Sequence, residues 1–506
     1  MKTSEILDKL LRVPPFEPLR LPRFPGELTA AYVAEIFENC YDFELRDVRI
    51  GGVLEAKLCF IDGLVSSDAV SLTVLEPLTS PFRFGGCLTE AEAAQRMLGG
   101  AAFGNTVKLR TAADETAADL LNGYCAVVFD GLRAAVTFEV RTPDKRAVTE
   151  PREEKSVKGA KESFIEVLKT NTMMLRRHMR DPALKIETLT LGRRTATAVA
   201  IVYVDGLTND RLVAELRRRL ERIDTDEVLT ASCIEEALAD TPLSPFPQLL
   251  QTERPDRFCL NLAEGRAGVL IDGLPLGFLA PGTLAQFFKV PEDRASHFLA
   301  ASILTLLRYL SGAVTLFLPA VFTAVSMYHQ EMLPAKLMES MIRAKQSVPF
   351  STAVEVMAML ASFELLQEAG MRLPNQIGQA VSIIGALIVG QSAVEANIVS
   401  PIAVIIVAFA GIAGFTVPDQ DMSNALRLMR FLLLLAAVAG GMFGIAAAGA
   451  LLTYHLCSLE SFGVPYVTPL AGRFGGRDLR KLLRPPLWAD KTRENALETK
   501  DKRDRK

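Results

Sequence analysis

The sequence predicts an α/β soluble region of two similar lobes followed by a C-terminal polytopic α-helical membrane domain. Four apolar runs end alike, at Phe60-Ile61-Asp62-Gly63-Leu64, Val128-Phe129-Asp130-Gly131-Leu132, Tyr203-Val204-Asp205-Gly206-Leu207 and Leu270-Ile271-Asp272-Gly273-Leu274. Their aspartates recur at fixed offsets, 143 residues from Asp62 to Asp205 and 142 from Asp130 to Asp272, so the first 290 residues read as one unit written twice. Charged residues crowd positions 1–295 and the last 35, while apolar runs of about 18 to 25 residues fill much of the stretch between, long enough to cross a bilayer. The predicted boundaries are 1–150 for the first lobe, 151–290 for the second with its preceding helix, 291–472 for the membrane domain and 473–506 for a basic cytosolic tail.

Within each copy a helical pattern (31–40; 163–179) leads into alternating residues and a glycine turn at Gly51-Gly52 or Gly192. A second alternating run then ends in Asp-Gly-Leu, which reads as a hairpin feeding a helix. Further on, Gly123 and Gly265 close a helix, and the next Asp-Gly follows after a short apolar strand. Glycine accepts positive φ and aspartate bonds its own backbone, so a tight turn accounts for these aspartates without a ligand role. Ahead of the second copy, Arg176 and Arg180 share a helical face with Arg177 beside them. A solvated basic face is the simplest reading. The alternative is a salt-bridged contact with a neighbouring protomer, which makes Arg176, Arg177 and Arg180 inter-subunit contact candidates.

A net charge of −3 gives no reason to expect nucleic acid. The seven cysteines form no CxxC pair and the four histidines lie far apart, so no metal site, disulfide framework or cofactor is expected. GxxxxGK[ST], GxSxG and HExxH are all absent, and no enzymatic role is expected. The first residues lack the apolar stretch of a secretory signal, so the lobes are expected on the cytosolic face.

Four segments are credible spans: 309–328, 377–394, 398–417 and 431–454. A fifth, 348–366, carries Glu355 and Glu364, and a carboxylate at the bilayer centre costs about 2.5 to 3.5 kcal/mol. From Arg473 onward 12 Lys or Arg face six Asp or Glu, which places the tail with the lobes in the cytosol and demands an even number of crossings. Four spans with 348–366 re-entrant or amphipathic satisfy this, and so do six. Glu355 and Glu364 are nine residues apart and leave a straight helix on opposite sides, so one is expected to face water and the other to pair. The small-residue span from Ile377 carries Gln379 and Gln391 and closes at Glu395, which suits either helix packing or a wet pore wall.

Longer stretches resemble a known family. They include Lys169-Thr170-Asn171-Thr172 with Arg176-Arg177 and Arg180-Asp181-Pro182, Pro245-Phe246-Pro247-Gln248, Thr252-Glu253-Arg254-Pro255-Asp256-Arg257, Glu368-Ala369-Gly370-Met371-Arg372-Leu373-Pro374 and Glu460-Ser461-Phe462-Gly463-Val464-Pro465-Tyr466. The chain resembles the A subunits of GerA-type spore germinant receptors, with the related SpoVAF protein, over roughly residues 55 to 490. The resemblance implies a subunit in the inner spore membrane or cell membrane, in contact with lipid. It implies partnership with a transporter-like, nutrient-binding B subunit and a lipoprotein C subunit. It also implies a homo-oligomeric channel that releases monovalent cations to trigger endospore germination. Glu355, Glu364, Gln379, Gln391 and Glu395 are the ion-path candidates. The rival readings are a SpoVAF-like channel subunit that amplifies germination and a non-conducting scaffold for receptor partners, with a membrane enzyme a distant third.

Overall fold

In a computed structural model of the protein, the described residues are 23–86, 89–102, 106–140, 151, 154, 156, 158–372, 390–470, 480–486 and 488–503. The chain divides into two compact units, 1–146 with 172–187, and 147–171 with 188–506.

The first sheet follows from period-two alternation. Helix α1 (Ala30–Ile36) precedes the hairpin of β1 (Phe43–Ile50) and β2 (Leu54–Ile61), and α2 (Glu90–Leu98) leads to β3 (Val107–Arg110). Helix α3 (Ala113–Leu121) and the hairpin of β4 (Tyr124–Phe129) and β5 (Ala134–Glu139) complete it. Strand β4 is buried along its whole length because both faces of the sheet are covered. Leu58, Phe60, Val127, Phe129 and Val136 enter one core, and Cys59, Ile61, Ala126, Val128 and Ala135 the other.

The second sheet repeats the order. Helix α4 (Leu168–His178) precedes β6 (Leu184–Leu191) and β7 (Thr197–Val204), and α5 (Asp210–Glu221) and α6 (Ala231–Leu238) lead to β8 (Leu250–Thr252). Helix α7 (Pro255–Glu264), β9 (Ala267–Ile271) and β10 (Gly277–Ala280) follow. The spatial orders are β1-β2-β4-β5-β3 and β6-β7-β9-β10-β8, one topology used twice. The second Asp-Gly of each copy has the same task. Asp130 accepts from the amide of Ala30 at 2.7 Å, and Asp272 from that of Leu168 at 2.9 Å, each capping the first helix of its copy. Positive φ falls at Gly63, Gly206 and Gly273 as the turn reading expects. In the remaining turn it falls at Arg133, and Glu90 accepts from the amides of Gly131 and Leu132.

The helical region comprises α8 (Phe298–Tyr328), α9 (Ala335–Lys345), α10 (Thr352–Arg372), α11 (Pro401–Phe415) and α12 (Gln420–Ser458). By length and apolarity α8 and α12 suffice to cross a membrane. The segment expected as re-entrant or amphipathic lies largely in α10, which runs 21 residues unbroken. The span expected over 377–394 lies mostly outside the described residues.

Helix α12 corrects the expectation of a single span over 431–454. Its backbone leaves helical geometry at Gly441 (φ 58°, ψ −138°). Asp421 accepts from Gln251 and His455 bonds Ser244, both at 2.9 Å. A straight helix would hold residues 421 and 455 about 51 Å apart. Residues 244 and 251 can be separated by at most about 25 Å. The chain therefore reverses at Gly441 into two arms, 420–440 and 442–458, and the far end packs on Tyr328, whose hydroxyl donates to the Val438 carbonyl at 2.6 Å. Glycine is required at the reversal, because this φ/ψ combination is strained for any residue with a Cβ. The sequence offered Gly440-Gly441 as a cue, obscured by unbroken apolarity on both sides.

Candidate functional site

Charged side chains occupy three levels of the helical region. At the level of the Gly441 turn, Glu355 is 1 % exposed. It accepts from the amide of Ser400 at 3.0 Å and lies 3.5 Å from the ammonium of Lys345. Ser400 is itself the N-cap of α11, so Glu355 places a carboxylate where the helix dipole favours one. Gln391 donates to Glu395 at 2.9 Å, and both are exposed.

At the middle level Val356 and Leu360 of α10 pack with Ala403 and Val407 of α11 and Leu434 of α12. One turn further, Glu364 receives Arg430 and, at 3.4 Å, Arg427, both from the first arm of α12. Arg430 is 1 % exposed against 26 % for Glu364. Nε and Nη2 of Arg427 and Nε of Arg430 are buried without acceptors. Two guanidiniums thus share one carboxylate, and the cluster is positive on balance.

At the base, Arg308 of α8 grips Asp293 through two bonds of 2.6 and 3.0 Å. Gln251 donates to both Glu235 and Asp421. Burial, reinforced by Asp421, pushes Glu235 up to about 7, and burial pushes Asp419 up to about 6.

These positions bear on each sequence candidate. Glu355 and Glu364 leave α10 toward different neighbours, as their spacing requires, but both pair within the chain, and only Glu364 retains exposure. Gln379 lies outside the described residues. Arg176 is fully buried, gripping Asp42 through two bonds of 2.8 Å and the Leu184 carbonyl at 2.7 Å. A solvated basic face is therefore corrected for Arg176, which is enclosed within the protein. Arg177 is partly buried, and exposed Arg180 donates to Asn122 at 2.8 Å. Sequence reasoning missed Arg427 and Arg430. Their spacing puts them on one face beside the apolar tract, but that tract begins at Phe431 and leaves them outside it.

Two copies of one antiparallel α/β sheet joined to a C-terminal bundle of apolar helices with charge pairs locked inside define a protein that couples folded lobes to a helical domain. The chain matches the Bacillus/Clostridium GerA spore germination protein family over residues 31–496, and it belongs to that family. It is 36% identical over 464 residues to spore germination protein KA of Bacillus subtilis (strain 168), covering 91% of this chain and 84% of that protein. It is 35% identical over 461 residues to spore germination protein GerLA of Bacillus cereus, covering 91% and 93%. It is also similar to the crystal structure of the N-terminal domain of the A subunit of the Bacillus megaterium spore germinant receptor GerK3, at 29% identity and a TM-score of 0.40, covering 50% of this chain and 92% of that one. Membership of this family assigns the chain a role in spore germination.

Proposed function

We propose that this chain is the A subunit of a spore germinant receptor, a multi-pass membrane protein with its lobes and basic tail in the cytosol. It assembles as a homo-oligomer with a transporter-like B subunit and a lipoprotein C subunit, and it releases monovalent cations when nutrient binds. The observation that carries this reading is the division of side chains in the helical region. Leu306, Leu310, Ile405, Phe409, Ile412 and Phe443 are all more than half exposed, a surface suited to lipid or another subunit. Charge lies on the inner faces, as intramembrane ion pairs require. The hairpin supports six crossings by α8, α10, the 377–394 tract, α11 and the two arms of α12. That even number keeps lobes and tail on one side.

Of the candidates, Glu364 keeps partial exposure and the Gln391–Glu395 turn is exposed, so the ion path runs along them, with Gln379 on the same tract. The purified chain in potassium-loaded liposomes, with and without its partner subunits, tests this. Flux above that of protein-free liposomes, with selectivity altered by Glu364→Gln, is expected. Flux at the protein-free level in every combination would leave a scaffold as the answer.

A further inference from the structure

A cavity of about 120 Å³ opens beside the foot of α8, lined by α7, the segment before α8 and C-terminal residues from 481–485 and 490–494. None of its four acidic groups is free, Asp490 included. Asp293 is held by Arg308, Glu264 by Arg266 at 2.6 Å and by Arg294, and Glu494 by Arg266 at 3.0 Å. Three of its cations are not matched in this way, and of these Lys481 donates to the Thr492 carbonyl. Arg484 donates through Nη2 to the Arg294 carbonyl at 2.7 Å, but its Nη1 is buried without an acceptor. Lys289 has no carboxylate within ion-pair distance among the described residues. Burial holds its ammonium below the ordinary lysine range, with Glu494 and Glu264 acting in the opposite direction from further away.

A buried guanidinium N–H without an acceptor, and an ammonium without a carboxylate, at one cavity favour an anion there. We propose that this cavity binds a phosphoryl group, held by Lys289 as a point charge and by the free Nη1 of Arg484. A phosphoryl group has enough acceptor oxygens to satisfy both. Arg484 is tied through its carbonyl to the hydroxyl of Ser302 on α8 at 3.0 Å. The bound anion therefore fastens the C-terminal segment to the root of the first long helix. This inference does not depend on ion conduction.

The test uses full-length protein in detergent, titrated at constant ionic strength with inorganic phosphate or with a short-chain phosphatidic acid, and followed by thermal unfolding. Either ligand should raise Tm with saturation, and the tighter of the two identifies a soluble or a lipid source. Lys289→Met and Arg484→Met should each weaken binding tenfold or more while leaving ligand-free Tm about equal, because neither side chain has a carboxylate partner to lose. A control, Lys481→Met, should respond as the wild type does, since Lys481 already donates to the Thr492 carbonyl. No response beyond that to chloride, or equal responses from wild type and both variants, would overturn the site.

Discussion

Arg430 and Arg427 draw on one carboxylate, so the loss of that carboxylate falls on both. Glu364→Gln keeps the shape and removes the charge, and is expected to destabilise the protein by about 2 kcal/mol, read as a lower Tm in detergent. Arg430→Met in the same background should restore part of that loss, because the uncompensated cation goes with it. Asp42→Asn should cost more, about 3 to 5 kcal/mol, since Arg176 is completely enclosed. Glu235 gives a pH dependence of known sign. Its folded pKa of about 7 exceeds the ordinary 4.5, so the folded state holds the proton more tightly. Its contribution is full below about pH 4.5 and is lost as pH rises through about 7. Thermal melts between pH 4.5 and 8 should fall with pH in the wild type, and less steeply in Glu235→Gln.

At the scale of elements, the reversal at Gly441 is open to direct measurement. Spin labels at Asn424 and Tyr454 would lie about 45 Å apart on a straight helix. On a hairpin they should lie under about 25 Å apart. Gly441→Ala should strain the turn by about 1 to 3 kcal/mol and broaden that distance distribution. The two sheets were legible because aspartate at a strand end has a local job, and a duplicated job leaves a fixed offset. The hairpin was not, because an apolar arm reads the same in either direction and Gly440-Gly441 passes for close helix packing. Arg176 was ambiguous for a related reason. Helical spacing places a side chain on a face without saying what covers that face, and Asp42 is 134 residues away in sequence.

For the whole molecule, the second unit makes a topological commitment that labelling can check. Lys500 bonds Asp210 at 2.7 Å, so the C-terminal segment and the second sheet belong to the same side of any membrane. Gln330, beside the Gly441 turn, sits at the other end of α8. In intact cells Gln330→Cys should react with an impermeant thiol reagent while Lys500→Cys should not. Reaction at both, or at Lys500→Cys alone, would reject the proposed orientation.

The clasp between Arg266 and Glu494 also bears on how the protein is made. Arg266 is fully buried, and Glu494 follows it by 228 residues, with the whole helical region in between. At about 5 to 20 residues per second, on the order of tens of seconds separate the two on the ribosome. Throughout that interval Arg266 has only Glu264, Asn261 and the Pro281 carbonyl as partners. Nη2 of Arg266 therefore gains its carboxylate only after the strands of the second lobe have been made. The helices are made before this clasp can close.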